Sequence, residues 1–406
     1  MNLEGNNIMT VKRTNRSTIL KLLHRNESLS RKKLAELTGL TPAAITKITS
    51  ELIDDRLIYE GRAVAMGSVG RREVQLCLNT RAYCALGIGI NIGKAYLSAA
   101  WPSGEVIFED IQHLPENAPA ETTIKLLCSK LMELAREQIP AGTPIIGVGI
   151  TSRGIHSSDF RTIKNAYHAL EGKNIPVADL VEEFTGYPAV LENNVRALLS
   201  AHLFLSDDGT SDSVFFVRGE YGIGGALSVG GEVWQGSSGQ CSEIGHIPVV
   251  RKGGKRCRCG KAGCLETVAS PVAIIEQAME VMNEKTTPAF CNRLKEINGR
   301  KVYIEDVCEC AALGDEPLQD IVTNAVQYLA SAIRAVIYSI DPQKIILYGK
   351  MFESEYYLTK FSAEMLDYVD AYHKIPVKRC DMNLQLERVS APLIAITRYI
   401  ENGGII

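Results

Sequence analysis

No stretch of this chain approaches the ~20 consecutive apolar residues of a membrane span, so no membrane partner is expected. Its opening residues, Met1-Asn2-Leu3-Glu4-Gly5-Asn6-Asn7, lack the basic and apolar regions of a secretory leader. The cysteines do not suit a disulfide scaffold either. There are 11, an odd number, and a reducing, cytoplasmic location is expected. Charge is nearly balanced, at −3 overall. What is present, 46% hydrophobic and 22% charged residues, is the composition of a soluble globular protein. A length of 406 residues exceeds one ordinary core, so two or three domains are expected.

The near-neutral total hides an uneven division. Residues 1–80 hold 13 Lys+Arg against 8 Asp+Glu, and the remainder holds 31 against 39. A basic head on an acidic body suits contact with a polyanion. Within that head, Ile19, Leu20, Leu22 and Leu23 follow helical spacing, and Ser30 is a natural N-cap for a helix with Leu34 and Leu37 on one face. Gly39-Leu40 supplies a turn. Thr41 then caps a second helix with Pro42 at its first position and Ile45, Ile48, Leu52 and Ile53 on its apolar side. This is a helix-turn-helix whose second helix would lie in the major groove.

The small or polar side chains Ala43, Ala44, Thr46, Lys47 and Thr49 are the expected exposed face of that helix. Lys47 suits phosphate or guanine, and Thr46 or Ala44 a thymine methyl. Arg31 and Thr41 join the expected DNA-contacting set. Further on, Val74, Leu76 and Leu78 alternate inward with Glu73, Gln75 and Cys77 outward, behind the tip Gly70-Arg71-Arg72. That pattern predicts a two-stranded wing whose arginines enter the minor groove of duplex DNA.

From Cys84 onward the chain alternates apolar strands and helices, with strands expected at 85–91, 95–100, 106–111, 145–150, 189–192, 214–217, 224–229 and 345–348. Helices are expected at 122–138, 177–185, 196–204, 271–282, 304–313 and 317–339. Such alternation predicts an α/β body with mixed sheets in two lobes separated by a cleft. One segment of it carries metal-ligand chemistry. Glu243-Ile244-Gly245-His246 is followed by Cys257-Arg258-Cys259-Gly260-Lys261-Ala262-Gly263-Cys264-Leu265-Glu266. His246, Cys257, Cys259 and Cys264 match the Cys3His ligand set of a tetrahedral, structural zinc site, with no position left open for water. Gly260 and Gly263 permit the sharp turns that let the sulfurs converge. Glu243 and Glu266 flank the ligands as acceptors suited to a polyol. His246 is expected to serve twice, one ring nitrogen on zinc and the other toward a ligand hydroxyl.

Winged helix, two-lobed body, the Glu-Ile-Gly-His run and the Cys-x-Cys-Gly-x-x-Gly-Cys-Leu-Glu run together resemble the ROK family of sugar kinases and sugar-responsive repressors. The resemblance covers about residues 13–400, and the amino-terminal domain selects its repressor branch. It implies a body similar to the actin-like and hexokinase-like ATPases and a homodimer or homotetramer. The implied division is residues 1–80 for the winged helix, 81–193 for the first lobe completed by a helix at about 385–406, and 194–384 for the second lobe with the zinc site. It also implies a sugar site at Asn165, Asn193, Asn194, Glu243, His246 and Glu266, whose amides and carboxylates suit hydroxyls.

Against the family's kinases the chain departs at five places. The Asp-x-Gly-Gly-Thr phosphate loop reads Asn91-Ile92-Gly93-Lys94-Ala95, and the second glycine loop reads Glu220-Tyr221-Gly222-Ile223-Gly224-Gly225. The Asp that abstracts the sugar proton in Glu-Asn-Asp is Asn194, and an amide cannot do that work. Gly349-Lys350 and Ala391-Pro392 replace two glycine-containing pairs. The expected function is thus a sugar- or sugar-phosphate-responsive repressor without enzymatic activity. The alternatives are a bifunctional kinase–regulator and a regulator answering to a protein partner. Arg153 and His156, in place of the family's Pro-Gly-x-x-Asp, suit either an anionic sugar or a surface loop.

Overall fold

The computed structural model describes residues 8–64, 73–114, 118–166, 169–206, 213–366 and 375–405. Helix α1 (Ile8–Arg25) starts earlier than the apolar spacing predicts, and its inward face carries Ile19, Leu20 and Leu23. After β1 (Leu29–Ser30), α2 (Arg31–Thr38) is capped by the Ser30 hydroxyl, which accepts from Lys33 N at 3.2 Å, and ends at Gly39 with φ 69°. Helix α3 (Pro42–Asp54) is capped by Thr41 and buries Ile45, Ile48 and Leu52. Strands β2 (Ile58–Val64) and β3 (Glu73–Leu78) complete a sheet in the order β1-β3-β2, one strand more than the expected hairpin.

Three side chains differ from the sequence reading of this domain. Leu37 is 49% exposed, because three residues turn a helix 60° short of a full revolution and α2 has only eight residues to bury. Val74 is exposed while Leu76 and Leu78 point inward. It pairs with Ala63 beyond a bulge between Glu60 and Ala63, past the covered part of the ladder. Thr49, expected on the exposed face of α3, is fully buried; its hydroxyl donates to Ile45 O at 2.8 Å.

Two units emerge from the packing: Met1–Gly209 with Leu384–Ile406, and Thr210–Asn383. In the first, β4 (Cys84–Asn91), β5 (Lys94–Ala100) and β6 (Val106–His113) form an antiparallel meander, and α4 (Ala120–Gln138) crosses to β7 (Ile145–Ser152). A small sheet of β8 (Ile155–His156), β9 (Ile163–Asn165) and β10 (Lys173–Ile175) precedes α5 (Val177–Thr185), β11 (Ala189–Asn193) and α6 (Asn194–Leu205). The main sheet runs β11-β7-β4-β5-β6, with β7 parallel to both β4 and β11. Leu86, Ile88, Ile150 and Leu191 of this sheet pack with Ile124, Leu127 and Leu131 of α4.

The second unit repeats that topology. Its strands β12 (Ser213–Gly219), β13 (Ile223–Val229) and β14 (Glu232–Trp234) form the meander. Then come α7 (Glu266–Ala269), α8 (Pro271–Glu280), α9 (Pro288–Glu296), α10 (Ile304–Ala312) and α11 (Glu316–Ile340). Strand β15 (Lys344–Tyr348), α12 (Glu355–Leu366) and β16 (Val377–Arg379) close a sheet ordered β14-β13-β12-β15-β16. In both sheets the strands lie third, second, first, fourth, fifth in chain order. Short turns suffice for the antiparallel meander, whereas the parallel pairs require crossovers. Helix α13 (Asn383–Glu401) follows, and residues from Leu384 onward belong to the first unit. Helix α6 also stays with the first unit, so the break falls after it and not at the expected 193/194 boundary. It is buried along most of its length beside β7 and β11, the second of which leads directly into it.

Candidate functional site

In the second unit, His246 and the three cysteines converge. One ligand atom from each of His246, Cys257, Cys259 and Cys264 lies within 4.8 Å of every other. Cys257 Sγ is 3.5 Å from His246 Nδ1, and Cys259 Sγ is 3.6 Å from Cys264 Sγ. A tetrahedron with metal–sulfur bonds of about 2.3 Å has edges of about 3.6–3.8 Å, so these separations fit a four-coordinate ion. Without a cation, burial and the neighbouring thiols push Cys264 up to about 12, and a divalent ion would reverse that by drawing off the protons. Gly263 has φ 74°, and a Cβ there would meet Val250 O at 2.0 Å; no other residue lets the two arms of the knuckle close.

The flanking carboxylates are stitched to the same frame. Glu243 leads into a short 3-10 turn over Ile244–His246, and Ser242 just before it holds φ 65°, a strained value for a side-chain-bearing residue. A Cβ on Gly245 would lie 2.1 Å from Ile223 O, while Glu266 Oε2 accepts from Ile223 N at 3.3 Å. Both ends of the metal-ligand segment therefore grip Ile223 in the second glycine loop. In that loop Glu220 Oε2 accepts from Lys350 N at 2.9 Å, and Tyr221 OH accepts from Lys301 Nζ at 2.8 Å. The protein's own carboxylate and phenol thus occupy the glycine-rich positions that differ from the family's kinases.

In the first unit, Asn193 and Asn194 stand at the junction of β11 and α6. Asn193 Oδ1 caps α6, accepting from Val195 N at 2.9 Å and Arg196 N at 3.3 Å. A pair not anticipated from sequence braces the junction. Arg196, 2% exposed, donates to Glu192 Oε1 at 2.7 Å, and that oxygen also accepts from Asn193 N at 2.7 Å. The i,i+4 spacing of Glu192 and Arg196 was the available signal. Asn194 also lines a recess with Asn91, Thr151, Tyr96, Glu387 and Ser390. Asn165 sits on β9, paired with Ile155 and Lys173.

His156 is not a surface residue. It is 4% exposed, and both ring nitrogens lack a hydrogen-bond partner among the described residues. Burial, then the charge of Arg196, pull its pKa down to about 3, so it supplies no positive charge to an anion at neutral pH.

On the amino-terminal domain, Ala43, Thr46 and Lys47 project from α3, Ala44 is half-buried, and Thr41 accepts from Ala44 N at 3.3 Å. Arg31 is engaged within the domain: Nε donates to Thr49 Oγ1 at 3.0 Å and Nη1 lies 2.9 Å from Glu60. Gly70, Arg71 and Arg72 lie outside the described residues. No helix among the described residues is long and apolar enough to cross a membrane.

Known proteins match both parts of the chain. Residues 13–59 match a winged helix-turn-helix DNA-binding family and residues 87–392 match the ROK family. The chain is 26% identical over 338 residues to the DNA-binding transcriptional repressor Mlc of Escherichia coli (strain K12), covering 83% of this chain and 81% of that protein. It is 27% identical over 355 residues to the DNA-binding transcriptional dual regulator NagC of the same strain, covering 86% and 83%. Against the xylose repressor of Bacillus subtilis (strain 168) the identity is 25% over 347 residues, covering 85% and 84%. The crystal structure of a ROK family transcriptional regulator, a homolog of the E. coli MLC protein, superposes with TM-score 0.79 at 25% identity, covering 97% of this chain and 98% of that one. A ROK family glucokinase from Streptomyces griseus, solved with glucose and AMPPNP, shares the fold with TM-score 0.65 at 21% identity, covering 77% and 99%. Since the ROK match spans well over half of its length, the chain belongs to the ROK family, among members that carry an amino-terminal winged helix-turn-helix.

Proposed function

We propose that the protein is a sugar-responsive, DNA-binding transcriptional regulator, a repressor of carbohydrate-uptake or catabolic genes, whose kinase-derived body no longer transfers phosphate. The observation that carries this reading is a winged helix with a small, polar reading face joined to a ROK body with Asn194 at the base position. An amide there forgoes general-base assistance, typically ~100- to 10,000-fold. Asn91 in place of the metal-holding Asp supports the same conclusion, as does the Glu220 carboxylate hydrogen-bonded at Lys350 N, where it would repel a polyphosphate.

Ala43, Ala44, Thr46 and Lys47, with Thr41 at the helix cap and Arg31 beside it, form the DNA-reading set, extended by Gly70, Arg71 and Arg72. Two such heads in a homodimer or homotetramer would read half-sites about one helical turn apart, or a multiple of that. Asn165, Asn193 and Asn194 of the first unit and Glu243, His246 and Glu266 of the second are the hydroxyl-recognising residues. His246, Cys257, Cys259 and Cys264 would hold a structural Zn2+, which fixes the segment carrying His246 and Glu266. With four protein ligands and no open position, the ion supplies rigidity and no reaction chemistry.

The deciding experiment is binding of the purified protein to its own upstream DNA at fixed salt, titrated with glucose, xylose, N-acetylglucosamine and their phosphates. One sugar should shift the affinity, and a coupled assay should find no ADP release with any of them. Sustained ADP release would establish a bifunctional kinase–regulator. Specific DNA binding that no sugar alters would point to a protein partner as the effector.

A further inference from the structure

Helix α6 begins at the candidate sugar residues and ends on the DNA-binding domain. Its first turn is built by Asn193 and Asn194, with Asn193 Oδ1 as the cap. Its body is buried at Val195–Leu199, Ala201 and His202, so it cannot bend independently of the sheet beneath. At its far end, about 18 Å away for twelve residues at 1.5 Å each, the Phe204 ring stacks on His24 of α1 with centroids 3.7 Å apart. His24 Nε2 also donates to Phe204 O at 2.9 Å. Burial holds His24 below its ordinary pKa, so the neutral ring stacks without a charge to solvate.

Helix α1 in turn carries the reading helix. Lys12 Nζ lies 2.9 Å from Glu51, and Arg16, 3% exposed, lies 2.6 Å from Asp55 through Nη2 and 3.6 Å from Glu51 through Nη1. Arg16 Nε also donates to Gly403 O at 2.7 Å, which anchors α1 to the chain after α13. Every link from Asn193 to α3 is therefore a packed or hydrogen-bonded contact within one unit.

We propose that α6 is a rigid strut that transmits occupancy of its Asn193–Asn194 end to the DNA-reading helix, with the His24–Phe204 contact as its joint. The proposal rests on the sugar-responsive reading and names how that response reaches DNA. His24 and Phe204 are positioning residues; neither belongs to the sugar set or the DNA face. Removing the joint leaves each binding event in place and removes their coupling, which in such systems is about 5- to 150-fold in affinity.

The test uses the full-length protein and its upstream DNA, with glucose, xylose and N-acetylglucosamine as probes. In His24→Ala and Phe204→Ala, DNA and sugar should each still bind, while the ratio of DNA affinities with and without sugar falls toward 1. His24→Phe, which keeps the stack, should restore part of the ratio. A ratio preserved in both alanine variants overturns the strut. A second arm needs no sugar: Asn193→Ala uncaps α6 and should change DNA affinity in the wild-type background but not in His24→Ala. No change in wild type, or equal changes in both backgrounds, overturns the strut. If wild type answers no sugar, the sugar-responsive reading fails while this second arm still decides the strut; a wild type that binds no DNA overturns both.

Discussion

Replacing Arg196 by Met tests the junction on which the first-unit candidate residues stand. Arg196 and Glu192 form an ion pair at 2.7 Å, with side chains 2% and 8% exposed. Methionine fills much of the stem's volume but removes the guanidinium from beside the buried Glu192 carboxylate. Breaking a buried pair from one side costs about 3–5 kcal/mol, more than the pair adds relative to a matched neutral pair. At ~1.4 kcal/mol per tenfold, the folded-to-unfolded ratio of the first unit drops by roughly two to four orders of magnitude. The double variant Glu192→Gln/Arg196→Met removes the charge while keeping an acceptor for Asn193 N, and should recover at least half of the loss. Urea unfolding of wild type, both single variants and the double variant forms the cycle that measures this. A cost below about 1 kcal/mol for Arg196→Met, or a double variant less stable than it, would refute the reasoning that the pair is desolvated and coupled.

Other consequences are open to direct measurement. Purified protein should carry one Zn2+ per chain, and Cys259→Ser should lose it together with the sugar response; full zinc content in the variant would remove the metal assignment. For His156, the pKa is about 3 folded against ~6.5 unfolded, so the unfolded chain binds more protons below pH 6.5. Stability is therefore retained above that pH and declines as pH falls, by about 2 kcal/mol between pH 7 and pH 5. His156→Gln should flatten that segment of the curve, and an unchanged curve would count against burial as the cause. Lys47→Ala should weaken DNA binding and reduce the magnitude of the slope of log K against log[salt] by about 0.9 if Lys47 meets phosphate. A loss confined to some operator sequences with an unchanged slope would assign it to a base edge instead.

The sequence by itself determined the elements whose signals are local. Caps at Ser30 and Thr41, the turn at Gly39 and the strand–helix alternation of the body all depend on neighbours a few residues away. The metal-ligand set was legible because its members span only His246 to Cys264. Less was readable where periods were too short: β8, β9, β10, β14 and β16 have two or three residues each, below what alternation can reveal. Helix α12 was missed although Tyr357, Phe361 and Met365 recur every four residues on its buried face. Only the tertiary structure decided that Thr49 and His156 are buried and that Val74 is not, since exposure depends on what covers a face. It alone placed α6 with the first unit and set Phe204 against His24, 180 residues apart. Such contacts are fixed by packing of the whole unit, and no pattern in the intervening chain encodes them.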